Sequence, residues 1–283
     1  MTHHLLLAGC GDIGTALGER AARDGWHATG IRRRTDGLPG PISPLQLDLT
    51  EPGGFPLPAA EAVVITLTAD GRTAADYERT YLGALRGLHR GFQAGGGIPG
   101  RVVLVSSTSV LGEASGLPEG RKTGVLTEEA VPRPVRETAK VLLRAEHLAE
   151  ELFPGAIIVR PAGIYGPGRT SLINRVRRGE ALDHTRITNR IHRDDLVAAL
   201  HAVLDAPRPP SLLHAVDREP ARLGDVATYL AGRLGVPVPP DSSRPGAEPA
   251  GKVLDGTRLR EVVGALRYPT YREGYDAVLA DLG

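Results

Sequence analysis

One cysteine, Cys10, stands alone in 283 residues, so the chain can neither close a disulfide on itself nor build a cysteine-rich zinc site. That scarcity suits a reducing compartment, and a cytoplasmic location is expected. Aromatic residues make up only 4%, too few for the stacked rings that hold single-stranded nucleic acid. Charge of one sign is lacking too, because 34 basic and 33 acidic side chains leave a formal net charge of +1. No global field would steer such a chain, so neither nucleic acid nor a membrane is expected as a partner. The N-terminal apolar run Leu5-Leu6-Leu7-Ala8 is short, and no stretch approaches the ~20 apolar residues of a bilayer span. None of the nine histidines falls in an HxxxH or HExxH pair, so no metal is expected. A GxSxG nucleophile elbow is absent as well, which removes the support for a serine hydrolase.

What the chain has is alternation. Short apolar runs at 4–8, 27–31, 45–49, 62–67, 101–105 and 156–159 read as strands, and segments with helical apolar spacing at 13–23, 74–92 and 136–152 read as helices between them. Strands that alternate with helices in this way predict an α/β fold with a doubly wound parallel sheet. After about residue 165 the pattern becomes helical (171–178, 194–205, 223–234, 271–281), broken by Pro- and Gly-rich stretches such as 206–210 and 237–251. The expected organisation is a dinucleotide-binding domain over 1–165 and a smaller substrate cap over 166–283, some of whose helices pack back on the sheet.

Gly9-Cys10-Gly11-Asp12-Ile13-Gly14 reads GxGxxG, directly after a strand and at the start of a helix. In that context the string predicts a Rossmann phosphate loop. Gly9 allows the tight turn, Gly11 admits a pyrophosphate to the backbone, and Gly14 lets the helix pack close to the sheet. The helix start at Asp12 and Ile13 favours the anion. An NAD site places a carboxylate at the end of the second strand; here that end carries Arg32-Arg33-Arg34. Guanidinium groups suit the extra 2′-phosphate of NADP, so the expected cofactor is NADP rather than NAD, with Arg32 and Arg33 as its contacts. Asp48, followed by Leu49, could accept from an adenine amino group or simply cap the next turn. Thr66 and Thr68, after the fourth strand, are candidates for the nicotinamide side. Cys10 reads as a bystander in the loop.

These residues resemble the atypical and extended short-chain dehydrogenases/reductases, in the NAD(P)-dependent epimerase/dehydratase branch. The likeness runs through the glycine loop, Asp48-Leu49-Thr50, the stretch Leu104 to Gly112, the run Val159 to Gly168, and Asn189 to Leu196. The resemblance implies a catalytic Ser107, a cofactor contact at Ser106, and backbone contacts at Pro161, Gly163 and Ile164. It also implies a Tyr-x-x-x-Lys pair in the helix after the fifth strand. Lys140 is there, but the tyrosine position holds Arg136, and a guanidinium cannot exchange the substrate proton near neutral pH. His192 and Tyr165 read as packing residues, and Asp194 as the cap of the following helix. Tyr77 and Tyr81 read as a core stripe. The implied function is an NADP-dependent oxidoreductase on a small carbonyl or alcohol substrate. A sugar-nucleotide epimerase/dehydratase and a non-catalytic NADP-binding sensor or scaffold stay open beside it. A homodimer through the two long helices is compatible with their apolar stripes.

Overall fold

The computed structural model describes residues 3–51, 55–112 and 123–282. From the N-terminus the elements are β1 (His4–Ala8), α1 (Asp12–Arg23), β2 (His27–Arg32), β3 (Ile42–Gln46), β4 (Ala62–Ile65), α2 (Ala74–Tyr77), a π-helical stretch Glu78–Gly83, α3 (Ala84–Ala94) and β5 (Arg101–Val105). There follow β6 (Thr123–Leu126), α4 (Glu137–Leu152), β7 (Ile157–Pro161), β8 (Gly163–Tyr165), α5 (Ser171–Arg177), β9 (Ile187–Thr188), β10 (Arg190–His192) and α6 (Arg193–Asp205). The last are β11 (Leu212–Ala215), β12 (Ala221–Arg222), α7 (Leu223–Leu234), β13 (Gly251–Leu254), α8 (Thr257–Val263) and α9 (Tyr271–Ala280).

Seven strands form one sheet in the order β11-β7-β5-β4-β1-β2-β3. β1 pairs in parallel with β2 (Leu5↔Ala28 through Ala8↔Ile31) and with β4 (Leu5↔Ala62 through Ala8↔Ile65). Leu5, Leu6 and Leu7 are fully buried, the unbroken apolar run of a strand covered on both faces. The chain winds outward from β1 in both directions, so the sheet is of the Rossmann type and its strand order reverses beside β1. Open α/β sheets bind ligands at the C-terminal ends of the strands flanking that reversal.

Within this sheet two strands depart from the sequence expectation; outside it the short strands β6, β8, β9, β10, β12 and β13 depart from it as well. β3 covers Ile42–Gln46 rather than 45–49. The apolar run at 45–49 begins three residues later, and Pro44 falls inside the observed strand. Pro44 is tolerated because β3 is the outermost strand of the sheet, where a missing N–H breaks no ladder. β11 was not expected. It is four residues long, follows the Pro-rich 206–210 stretch, and carries His214, fully buried, between Leu213 and Ala215.

The chain divides into two compact units, each assembled from three segments: Met1–Val110, Pro134–Arg160 and Val197–Leu213 in one, Leu111–Arg133, Pro161–Leu196 and His214–Gly283 in the other. In the second unit β10 pairs with β8 and β13 with β6 in parallel, and β12 with β9 antiparallel. Its apolar core joins Tyr165, Ile173, Val176, Val226, Leu230, Tyr271, Tyr275 and Val278. Among the described residues no helix is long and apolar enough to cross a membrane.

Candidate functional site

The glycine loop leaves β1 through Gly9, whose φ of +85° is a left-handed conformation that side chains resist. A Cβ there would also lie 3.0 Å from the Thr66 carbonyl oxygen. The Thr66 hydroxyl donates to the Gly9 carbonyl at 2.7 Å, and a Cβ on Gly14 would come within 2.9 Å of that same hydroxyl oxygen. Thus β4 and α1 both close on the loop, and small residues at 9 and 14 let them. Gly11 differs, because a Cβ there would meet nothing within 4 Å. It occupies the cap position of α1 without a side-chain cap, so the helix start meets open space. Uncapped N–H groups and the positive helix end suit an anion.

This loop is one wall of a cleft of about 510 Å³. Of the residues expected at a cofactor, Gly9, Gly11, Arg32, Arg33, Asp48, Leu49, Thr66 and Thr68 all line it. Asp12, Ile13 and Gly14 open α1 directly behind the loop. Cys10 lines the cleft as well, yet it is fully buried, and burial pushes its thiol up despite a hydrogen bond with Thr15. The bystander reading of Cys10 accords with that geometry.

The arginines of the rim are not equivalent. Arg33 forms a two-pronged ion pair with Asp70, at 2.6 and 2.5 Å. Arg32 and Arg34 also line the cleft, and neither guanidinium is in an ion pair among the described residues. Arg79, from the π-helical stretch, is a fourth cation on the lining and is held by Asp76 at 2.8 Å. Asp48 accepts from the Thr50 backbone N–H at 2.9 Å and its hydroxyl at 2.7 Å, both on Oδ1. It caps its own turn while facing the cleft.

Arg79 and Asp70 escaped the sequence reading. The capping box of Thr73 and Asp76 that starts α2 was readable, but the π stretch that follows has no sequence signature. A π turn is nonetheless a frequent feature of functional sites, and this one carries Arg79 and Thr80 on the cleft lining. Tyr81 on the same stretch donates to the Leu67 carbonyl at 3.1 Å, tethering the loop after β4. Burial pushes its phenol up to about 12, so it stays a donor at any physiological pH.

The remaining candidates lie elsewhere. Ser106, Ser107 and Lys140 belong to the same unit as the cleft but do not line it. Ser106 donates to Glu146, which is clamped by Arg160 in a buried ion pair. The Ser107 hydroxyl accepts the Ser109 N–H at 3.1 Å. Lys140 pairs with Glu137 at 2.7 Å on an exposed face of α4, and Arg136 caps that helix. Pro161, Gly163 and Ile164 are in the second unit, where Gly163 donates its N–H to the Asn189 carbonyl at 3.2 Å.

That second unit buries a polar cluster of its own. His192 is 1% exposed and accepts the Asp194 N–H on Nδ1 at 3.2 Å. His192, rather than Asp194, therefore terminates the backbone at the start of α6. Burial pushes its imidazole down to about 4. Asp195 accepts the N–H groups of Arg267 and Tyr268 at 2.8 and 2.9 Å. Burial pushes the Asp217 carboxyl up to about 7. It also lifts the Tyr165 phenol well above its ordinary value, and Tyr165 packs at 4.5 Å from the Tyr275 ring. Among the described residues no group of three or more His, Cys, Asp or Glu side chains is placed to hold a metal.

No protein-family model matches the chain, and no curated protein does. Solved structures do. An assigned NAD-dependent epimerase/dehydratase of Methylobacillus flagellatus is 30% identical over 100% of this chain and 99% of that one, with a TM-score of 0.80. MoeE5, solved with UDP-glucuronic acid and NAD, is 23% identical over 98% of both chains, with a TM-score of 0.77. UDP-glucuronic acid 4-epimerase of Bacillus cereus, solved with NAD, is 16% identical over 98% of this chain and 99% of that one, with a TM-score of 0.75. The last two identities speak for the fold alone.

Proposed function

The chain belongs to the NAD-dependent epimerase/dehydratase family, and from that premise we propose that it binds NADP in the cleft of its first unit and acts as an oxidoreductase on a small carbonyl or alcohol. The observation that carries the cofactor reading is the pair of guanidinium groups, Arg32 and Arg34, that line the cleft without an ion-pair partner among the described residues. They stand at the end of β2, where an NAD site places a carboxylate for the ribose hydroxyl. Two guanidinium groups without a partner among the described residues leave positive charge there that a 2′-phosphate would neutralise. The glycine loop and the start of α1 would take the pyrophosphate, and Asp48 the adenine amino group. The cofactor would supply or accept the hydride. Moving the accompanying proton falls to the chain or to solvent. Arg136 cannot do it, and Lys140 is engaged with Glu137. Ser107 keeps a hydroxyl hydrogen free to donate after accepting from Ser109.

Two observations favour other readings. The 30% identity to the epimerase/dehydratase of Methylobacillus flagellatus favours an epimerase or dehydratase on a sugar nucleotide. The Tyr-x-x-x-Lys positions, with Arg136 at the start of α4 and Lys140 in a surface ion pair with Glu137, favour a sensor that holds the cofactor without turnover.

The test is NADPH and NADH binding to the purified chain, followed by fluorescence, with Arg32→Asp alongside. Wild type should bind NADPH more tightly than NADH. Arg32→Asp should weaken NADPH binding by about 10- to 100-fold, since charge-assisted phosphate contacts are worth roughly 1.5–3 kcal/mol, and should weaken NADH less. Equal losses for both cofactors, or no binding of either, would sink the reading. Tight NADPH binding with no turnover across carbonyl, alcohol and UDP-sugar panels would turn it toward the sensor.

A further inference from the structure

Arg33 and Asp70 approach the cleft from opposite sides of β1. Arg33 is the first residue after β2, and Asp70 lies in the loop after β4. In the sheet, β1 separates those two strands. Neighbouring strands run about 4.8 Å apart, so a bond between the two loops bridges roughly 10 Å across the end of β1. That end is where the glycine loop begins, and both partners line the cleft. The ion pair is therefore a strap over the adenosine end of the cleft, closed by two hydrogen bonds.

Resting on the NADP reading above, we propose that Asp70 sets the cofactor preference of the cleft by holding Arg33: a 2′-phosphate recruits Arg33 only by displacing Asp70 from it, whereas a cofactor without that phosphate leaves the pair closed. The exchange is chemically even-handed. A carboxylate offers the guanidinium two oxygens and one charge, and a phosphate offers three oxygens and nearly two charges. Both side chains are about half exposed, at 57% and 52%, so solvent screens the pair and a phosphate can prise it open. The hydrogen bonds from Arg33 hold the Asp70 carboxyl below its ordinary range, so it competes as a full anion at neutral pH. Arg32 and Arg34 need no such exchange. Of the two arginines that the sequence placed on the phosphate, Arg32 and Arg33, it is thus Arg33 whose use is regulated.

A double-mutant cycle tests this. NADPH and NADH dissociation constants are measured for wild type, Asp70→Asn, Arg33→Ala and the double variant. Asp70→Asn should raise the preference for NADPH over NADH by about three- to fivefold, the span that an exposed ion pair commands. In the Arg33→Ala background the same change should leave the preference where Arg33→Ala put it. An unmoved ratio in Asp70→Asn overturns the proposal. So does an equal rise in both backgrounds, which would make Asp70 a diffuse negative charge rather than a partner of Arg33. If wild type binds neither cofactor, the NADP reading and the strap fall together. If NADPH binds and Arg32→Asp weakens it while the cycle shows no coupling, only the strap falls.

Discussion

Glu146→Ala is expected to cost about 3–5 kcal/mol of stability, the range for breaking one side of a buried ion pair. Glu146 and Arg160 expose only 3% and 6% of their side chains. Arg160 donates to both carboxylate oxygens, at 3.0 and 2.6 Å, and Ser106 donates to one of them. Removing the carboxylate strands a guanidinium away from water. Arg160 has no slack to absorb that loss, because its third nitrogen, Nη1, is buried without an acceptor among the described residues already. For a chain of this size the change should lower the melting temperature by about 10 °C, read by circular dichroism. A loss under about 1 kcal/mol would mean that water reaches the orphaned charge and that the pair is not the dry contact its exposure indicates.

The double variant Glu146→Met with Arg160→Met separates the pair's net worth from the cost of breaking it. Desolvating two charges offsets most of their attraction, so the apolar pair should recover most of the stability that Glu146→Ala loses. Ser106 alone would still lack its acceptor, at a cost of about 1 kcal/mol. If the double variant is as unstable as the single one, the pair fixes the geometry of β7 against α4 in a way that packing cannot replace.

The cleft was legible in the sequence because its parts are local. The glycine loop, the arginines at the end of β2 and the Asp48 turn each sit within a few residues of a strand end, and period and turn chemistry mark strand ends well. What escaped arose from pairing across the sheet or from irregular backbone. β11 is four residues with a buried histidine, too short and too mixed for any periodicity. The strap partner Asp70 is 37 residues from Arg33, a separation that only the strand order β4-β1-β2 closes. Arg79 reaches the cleft from a π stretch, which helical spacing cannot foresee. Lys140 is a different case. The family resemblance implies a catalytic role for it, while the apolar stripe at 141, 142, 145 and 149 faces inward and leaves Lys140 on the outside with Glu137.

Asp217→Asn should change how stability depends on pH, and by about 4 kcal/mol across the neutral range. Asp217 is 1% exposed. Its Oδ1 accepts the Glu219 N–H at 3.1 Å, and its Oδ2 is buried with no partner among the described residues. Burial pushes the carboxyl from an ordinary 3.8 up to about 7. A group whose folded-state value is raised contributes stability that is full below the unfolded value and is lost as pH rises through the folded one. Over roughly three pH units at about 1.4 kcal/mol each, the loss amounts to about 4 kcal/mol by pH 8. Asparagine keeps the Oδ1 acceptor and never ionises, so the variant should gain on wild type by that amount between pH 4 and 8. His192, in the same unit, runs the other way. Its value falls from 6.5 to about 4 through burial, so its contribution is full above 6.5 and is lost as pH falls through about 4. In wild type the two slopes oppose each other between about pH 4 and 6.5, and Asp217→Asn unmasks the histidine. Relative to wild type the variant should therefore lose about 3 kcal/mol on acidification through that window, since Asp195 and Glu128, also raised by burial, act alike in both proteins. Urea unfolding at intervals from pH 4 to 8 reads both effects, and groups common to the two proteins cancel in the difference. Parallel curves would mean that the Asp217 carboxyl titrates as if solvated, with water reaching Oδ2.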